Sequence, residues 1–158
     1  ITQMAIDFIS LAQAAFFAAL MTLGWSLMVN VPRHYIWQSL LISAIGYSLR
    51  ELLIQFGVNL VLTSFVAAVV TAFLSIYLAK RYLITPKTIL VPALLCMMPG
   101  VTAYKAMISL VQLGYFGYDQ TLFVQMLNYA FNAMFITGAL VLGLSLPAAI
   151  FYRKQPIV

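Results

Sequence analysis

Two charged residues, Arg50 and Glu51, lie inside an apolar run that is long enough to cross a membrane. Burying either charge in hydrocarbon costs several kcal/mol, with estimates for a central arginine starting near ~3 kcal/mol. Ser43, Tyr47 and Arg50 follow i, i+4, i+7 spacing and therefore share one face of a helix. A guanidinium on such a face can hold a carboxylate through two parallel hydrogen bonds, a geometry that lysine lacks. Arg50 is thus a candidate substrate-binding residue; the alternatives are that its side chain extends to the membrane surface or pairs with a carboxylate on another helix.

A proline and a glycine, Pro99 and Gly100, interrupt a later apolar run. Counted from Thr88 at about 1.5 Å per residue, they lie roughly 16 Å into the membrane, near its midplane. Proline removes a backbone N–H donor, and glycine allows the chain to leave helical geometry. Membrane transporters bind anionic groups at the half-helix N-terminus of such a broken helix. The alternative interpretation is a proline kink whose freed backbone groups are satisfied by neighbouring helices.

Two further polar stripes repeat with helical spacing, so each marks one face of a helix: Lys105, Ser109 and Gln112 form the first, and Gln125, Asn128 and Asn132 form the second. Each stripe by itself can serve as an interhelical hydrogen-bonding contact. Together with the stripe that contains Arg50, however, they predict a shared hydrated cavity. The candidate substrate-binding residues are therefore Arg50, Pro99, Gly100, Tyr104, Lys105, Gln125, Asn128 and Asn132.

No catalytic or metal-binding motif accompanies these residues in the sequence. There is no GxSxG, HExxH or P-loop pattern, and the single histidine, His34, lies in a basic loop. The single cysteine, Cys96, excludes an internal disulfide and cannot build a cysteine cluster for a metal. We therefore expect no enzymatic activity, no catalytic residues, no metal site and no cofactor.

The elements that must position the candidate residues are apolar helices. The chain is 65% hydrophobic and only 7% charged, whereas soluble domains are nearer a quarter charged. Its apolar runs approach the roughly 20 residues that a helix needs to cross the hydrocarbon core. They predict an all-α polytopic membrane bundle of about five transmembrane helices, with the fourth helix broken at Pro99 and Gly100. The predicted spans, in a single transmembrane domain over residues 1–158, are 5–29, 37–56, 59–78, 88–113 and 121–151.

Turn and capping residues delimit these spans. Pro32 ends the first helix, because proline disfavours helical geometry at the residue before it. Asn59 is the predicted N-cap of the third span, and Asp119 or Thr121 that of the fifth. Before the fourth span, Thr85 and Pro86 have the residue types of an N-cap and a first helical position.

The basic residues in the connections predict an orientation in the membrane. The connections on one side of a five-span protein hold all six of these residues: Arg33, Lys80, Arg81, Lys87, Arg153 and Lys154. The connections on the other side, at Gly57 and at residues 115–119, have no lysine or arginine. Lysine and arginine are enriched in cytoplasmic loops. We therefore predict a multi-pass protein of the bacterial inner membrane with a periplasmic N-terminus and a cytoplasmic C-terminus. The net charge of +5 belongs to these loops and forms no stripe that would indicate nucleic-acid binding.

Several motifs resemble those of the ThrE threonine/serine exporter family. The stretch over residues 91–107, VPALLCMMPGVTAYKAM, is similar to the P…M.PG..AY.AM signature of that family. Further matches are Asn30-Val31-Pro32 and the terminal GLSLP stretch over residues 143–147, followed by Tyr152-Arg153-Lys154. Length and organisation resemble the YjjB-type small subunit, and the resemblance extends over all five predicted spans.

This resemblance implies a function and a partner. Single-chain members of the family carry about ten spans, and the two-gene form divides them between a larger YjjP-like ThrE-domain subunit and a smaller one, both needed for export. The family is associated with export of threonine and serine, and the two-subunit bacterial form with succinate and similar C4-dicarboxylates. Five residues fit the family pattern: Arg50, Pro92, Pro99, Gly100 and Tyr104. Glu51 and Lys105 look variable in that pattern.

The leading hypothesis is the small subunit of a secondary exporter for small carboxylate metabolites, with succinate or another C4-dicarboxylate as the favoured substrate. Succinate needs two anion-binding points, which Arg50 and Lys105 can supply. Threonine needs one anion-binding point and an acceptor for its ammonium group, for which Glu51 is the one acidic group inside a span. The alternatives are a threonine/serine exporter subunit and a scaffold subunit that does not itself transport.

Overall fold

The computed structural model describes residues 7–152, and in that range the chain forms helices joined by short connections. The prediction of an all-α bundle is confirmed. Residues before Asp7, and the basic pair Arg153 and Lys154 used for the orientation, lie outside the described residues. The helices are α1 (Phe8–Met28), α2 (Arg33–Gln55), α3 (Leu60–Tyr82), α4 (Pro86–Leu95), α5 (Gly100–Phe116) and α6 (Gln120–Tyr152).

Helix ends fall where the capping residues predict them. The Asn59 side chain accepts a hydrogen bond from the Val61 N–H at 3.3 Å, and the Asp119 carboxylate accepts one from the Thr121 N–H at 3.1 Å. Each bond satisfies a donor that the first helical turn leaves free. Pro86 is the first residue of α4, where its missing N–H removes no helical bond.

The predicted break in the fourth span is confirmed. Helix α4 ends at Leu95, α5 begins at Gly100, and the two axes are bent by 45°. Among the described helices, α1, α3 and α6 are long and apolar enough to span a membrane, and the bent pair α4 and α5 counts as a fourth span if its two parts are taken together. Helix α2 is equally long but more polar, since it carries Arg33, Arg50 and Glu51. The predicted count of about five spans is not confirmed.

Small residues allow α3 to pack at the centre, against α2, α4 and α6. Ala67, Ala68 and Ala72 are fully buried there. Gly143 brings α6 so close that a Cβ at that position would lie 2.7 Å from the Ala68 Cβ and 3.0 Å from the Phe65 carbonyl oxygen. Small residues at such contacts let helix backbones approach closely in a membrane, where the hydrophobic effect does not drive helices together.

Helices α3 and α6 run parallel but are offset along their axes. Phe151 packs edge-on against Phe73, whereas Ile136 shares a cluster with Leu60 near the first residue of α3. The part of α6 before about Ile136 therefore extends beyond α3, by roughly 20 Å at 1.5 Å per residue. Helix α5 packs mainly against this extension. We call α5 and residues 120–135 of α6 the α5–α6 hairpin; it projects from one end of a bundle formed by α1 to α4 and the rest of α6.

The basic residues of the loops gather at the opposite end. Arg33 begins α2, while Lys80 and Arg81 lie in the last turn of α3 and Lys87 in the first turn of α4. The Lys80 ammonium lies 4.2 Å from the centre of the Phe151 ring, so α6 also finishes at this end. The described loops therefore show the charge segregation that the orientation argument assumes.

Candidate functional site

The Arg50 side chain lies beside the broken helix and is only partly satisfied there. Its Nη1 donates to the Met97 carbonyl oxygen at 3.4 Å, a long hydrogen bond, and its guanidinium lies 5.8 Å from the centre of the Tyr47 ring. Its Nε is buried and has no hydrogen-bond partner among the described residues. A buried donor without a partner carries the full cost of its desolvation. The side chain therefore retains a hydrogen bond to offer.

The break explains why backbone groups are available next to Arg50. In a continuous helix the Met97 carbonyl would accept from the Val101 N–H, four residues later. Pro99 ends that pattern, so the Met97 carbonyl can accept from Arg50. The N–H groups of Val101 and Thr102 have no backbone partner in the described chain. Free N–H groups at a helix N-terminus, together with the helix dipole, favour an anion.

A cavity of about 600 Å³ brings these groups together. Volumes of 300–1,000 Å³ are typical of small-molecule sites. Arg50, Glu51, Pro99 and Gly100 all line it, as do Val101 and Thr102 at the start of α5. The first half of α1 forms a further wall, which includes Ser10 and Gln13. Three of the eight predicted site residues therefore meet in one cavity: Arg50, Pro99 and Gly100.

The charges around this cavity are not balanced by ion pairs. Glu51 also lines it, but Glu51 and Arg50 form no salt bridge, and none forms elsewhere among residues 7–152. The other two acidic residues of the chain, Asp7 and Asp119, lie at the starts of α1 and α6. A cationic and an anionic side chain therefore line the same cavity without forming a salt bridge with each other.

The remaining predicted residues lie on the α5–α6 hairpin, outside this cavity. They are mostly exposed, and the structure does not bring the three polar stripes into one cavity. The Lys105 ammonium lies 5.6 Å from the centre of the Tyr129 ring on α6. Ser43, in the stripe that contains Arg50, is buried against the Ala18 carbonyl oxygen instead. The five residues placed on the hairpin are Tyr104, Lys105, Gln125, Asn128 and Asn132.

A second, apolar groove of about 690 Å³ also borders the break. Pro99 and Gly100 line it as well, together with Ala133, Thr137 and Gly138 of α6. A Cβ added at Gly100 would meet nothing within 4 Å. The break therefore borders both spaces.

The sequence analysis missed several residues of the cavity. Gln13 and Ser10 are polar residues at i, i+3 spacing in the first apolar run, and this signal was available but was not used. Cys96 also lines the cavity, with its Sγ 3.7 Å from the Ala18 carbonyl oxygen. No spacing rule connects it to Arg50, since Cys96 follows the last residue of α4 and Arg50 lies on α2.

Comparison with known proteins identifies the family. The family described as "Threonine/Serine exporter, ThrE" matches residues 14–150, which is most of the chain. The chain belongs to the ThrE exporter family. A protein of Haemophilus influenzae described only as uncharacterized is 43% identical to it over 142 residues. No solved structure matches the chain.

The match to the Haemophilus protein covers only part of that protein. The aligned residues cover 90% of this chain but only 48% of the Haemophilus protein, so the chain spans about half the length of that relative. ThrE is a transporter family, and the apolar helices agree with a multi-pass membrane protein. In that context, the cavity at the broken helix has the chemistry to bind a small carboxylate.

Proposed function

We propose that this chain is the small subunit of a secondary exporter, and that the cavity beside Arg50 binds a small carboxylate metabolite during export. The chain acts as one membrane domain together with a larger YjjP-like ThrE-domain subunit. Its place is the bacterial inner membrane, with the basic end in the cytoplasm and the N-terminus in the periplasm, in accordance with the positive-inside tendency. On that orientation the cavity lies in the periplasmic half of the bundle.

The observation that carries this proposal is that Arg50, whose buried Nε has no partner among the described residues, lines a cavity at a helix N-terminus. A carboxylate in the cavity accepts from the guanidinium group, which favours bidentate geometry with two of its nitrogens. The free N–H groups of Val101 and Thr102 add donors for the same anion. An exporter must also release its substrate. The four residues between α4 and α5 can act as a hinge, so the cavity beside them can change shape.

The cavity favours one of the two substrate classes. Glu51 lines it and can accept from an ammonium group, whereas Lys105 lies on the hairpin away from it. A zwitterionic substrate such as threonine or serine, with its carboxylate on Arg50 and its ammonium on Glu51, therefore matches the cavity of this chain best. A single cation in the cavity supports only one end of a dicarboxylate.

Succinate or another C4-dicarboxylate is the second candidate. Away from the basic loops, the helices of this chain contain two cationic residues, Arg50 and Lys105, and one acidic residue, Glu51. This excess of positive charge suits a substrate with two carboxylates. For this substrate the second anion-binding point must come from Lys105 after a rearrangement or from the larger subunit. A scaffold that only stabilises its partner is the third alternative, and it requires no role for Arg50.

Flux measurements in liposomes that hold both subunits test the proposal. Labelled threonine, serine and succinate are loaded, and efflux is measured for the unmodified complex, for Arg50→Gln and for Glu51→Gln. We expect Arg50→Gln to abolish efflux of every substrate, and Glu51→Gln to impair threonine and serine but not succinate. Arg81→Gln, which removes a positive charge from an exposed position at the basic end, is the matched control.

Three results would contradict parts of this proposal. Normal flux with Arg50→Gln in an assembled complex would exclude the cavity as the substrate site. Succinate efflux that exceeds threonine efflux, together with threonine efflux that Glu51→Gln leaves intact, would favour the dicarboxylate. Full transport by the larger subunit alone would support the scaffold.

A further inference from the structure

Four buried hydroxyl groups lie along the contact between α1 and α2. Thr22 and Ser26 are on α1, one and two turns after Ala18, and Ser39 and Ser43 are buried on α2. The Ser43 Oγ lies 3.5 Å from the Ala18 carbonyl oxygen. Because α1 and α2 are antiparallel, Ser39 lies one turn farther along, near Thr22. We call these four residues the hydroxyl row.

The hydroxyl row leads from the cavity towards the basic end. Ala18 and Cys96 line the cavity, and the Cys96 Sγ lies 3.7 Å from the Ala18 carbonyl oxygen. Ser26 lies eight residues after Ala18, roughly 12 Å nearer to the basic end at 1.5 Å per residue. Arg33 follows across the short connection between α1 and α2. All four residues of the row are fully buried, so the row is closed to solvent in this structure.

The hydrogen bonds of the row contribute little to holding the two helices together. The hydroxyls of Thr22 and Ser39 each donate to the carbonyl oxygen four residues earlier in their own helix, at 2.8 and 3.3 Å. Within the row, only the long contact of Ser43 crosses between helices. The Ser26 Oγ is buried and has no partner among the described residues. Alanine would pack as closely without burying a hydroxyl, so the row has hydrogen-bonding capacity that this packing does not use.

Buried hydroxyls on α3 differ from the row in position. Thr71 and Ser75 are fully buried, and the Ser75 Oγ likewise has no partner in the described part of the chain. Neither residue lines the cavity. Helix α3 has nine buried residues at the centre of the bundle, whereas α1 has three, all on one face. Separation of the helices around the row therefore disturbs less packing than separation around α3.

Helix α4 covers the row and has the features of a movable wall. It contacts both α1 and α2, and its residues Ile89 and Ala93 pack against Ile42, which lies between the two serines of the row. The helix is ten residues long and is followed by the break. Pro92 has no N–H and therefore removes one hydrogen bond from the middle of α4. Such a short helix can tilt at the break without unfolding.

We propose that the hydroxyl row lines the path by which the substrate reaches the cavity from the basic end, and that α4 opens this path by tilting away from α1 and α2. This inference rests on the proposed function, because an exporter that works by alternating access connects one cavity to each side of the membrane in turn. Hydroxyl groups suit a zwitterion in transit. They donate to its carboxylate and accept from its ammonium without carrying a charge that would hold it.

Cysteine accessibility tests the path. In a Cys96→Ser background, Ser26→Cys and Ser39→Cys are treated with a membrane-impermeant thiol reagent, added from each side of vesicles that hold both subunits. Arg81→Cys, at an exposed position, identifies the basic side, and Ser75→Cys is the matched buried control. We expect both row variants to react from the basic side at least tenfold faster than Ser75→Cys. Modification of either should stop efflux, measured relative to the Cys96→Ser background.

Two shape-conserving substitutions provide a second measurement. Thr22→Val and Thr71→Val each remove one fully buried hydroxyl that bonds only to its own helix. We expect the two variants to unfold at similar temperatures. Efflux should fall about fivefold for Thr22→Val, the effect of one lost hydrogen bond, and should stay unchanged for Thr71→Val. Equal efflux from the two variants would overturn the role of the row in transit.

The labelling outcomes separate this inference from the proposed function. Row variants that react no faster than Ser75→Cys, or only from the side opposite Arg81→Cys, would overturn the path while leaving the Arg50 cavity untouched. Modification of Ser26→Cys that leaves efflux intact would overturn it as well. Fast labelling from the basic side combined with normal flux of Arg50→Gln would support the path and refute the substrate site.

Discussion

Replacing Arg50 with methionine, an unbranched apolar side chain, distinguishes a substrate-binding arginine from a structural one. Arg50 makes one long hydrogen bond, at 3.4 Å to the Met97 carbonyl oxygen, and one ring contact at 5.8 Å to Tyr47. These two interactions contribute about 1–2 kcal/mol in total. A guanidinium at the centre of a membrane helix costs about 2.5–3.5 kcal/mol, and Arg50, which lies near the end of α2 and lines a cavity, carries only part of that cost. We therefore expect Arg50→Met to change the free energy of unfolding by less than about 1 kcal/mol, because the cost removed and the interactions lost are of similar size.

Transport by the same variant should be lost. A carboxylate held by two hydrogen bonds from a charged donor gains about 1.5–3 kcal/mol from each. Loss of both bonds lowers affinity by at least about a hundredfold, since each 1.4 kcal/mol is a factor of ten. The assay pairs thermal unfolding of the purified complex with efflux per folded complex, and Arg81→Met serves as the control. We expect the unfolding temperature of Arg50→Met to stay within a few degrees of that of the unmodified complex while efflux disappears.

The reverse pattern would refute this reasoning. Breaking a buried ion pair typically destabilises a protein by about 3–5 kcal/mol, because the remaining charge loses its partner. If Arg50→Met lowers the unfolding temperature by that amount and leaves efflux per folded complex intact, Arg50 serves assembly instead. A carboxylate of the larger subunit would then be its partner.

Three other predictions concern packing and access. Gly143→Ala should destabilise the fold by about 1–3 kcal/mol through overlap with Ala68, whereas Gly138→Ala, which meets nothing within 4 Å, should not; thermal unfolding compares them. Cys96, the single cysteine, should react with a small hydrophilic thiol reagent more slowly when substrate is present, and equal rates with and without substrate would argue against binding in this cavity. Gly100→Leu should fold normally because its Cβ position is open, yet abolish efflux by filling the space beside the break; retained efflux would show that this space is not used.

Local features of the fold could be predicted because they depend on neighbours in the chain. A run of apolar residues partitions into the bilayer as a helix whatever it later packs against. Asn59 and Asp119 accept hydrogen bonds from N–H groups two residues away, so the sequence around them is enough to place a helix start. Pro99 with Gly100 disrupts the helix through its own covalent geometry. In the same way, the loop lysines and arginines indicated one end of the bundle.

The composition of the site was decided by tertiary structure, because helical spacing gives a face but neither a rotation nor an offset. The stripes on α2, α5 and α6 have similar periodicity, and only packing shows that Arg50 faces the break while Asn128 faces outward. The offset depends on the contact of Gly143 with Ala68, which aligns the second half of α6 with α3 and leaves its first half projecting. The sequence by itself therefore determined that a broken helix and a membrane arginine exist. The tertiary structure determined that they share a cavity, and that the remaining polar residues lie exposed on the α5–α6 hairpin.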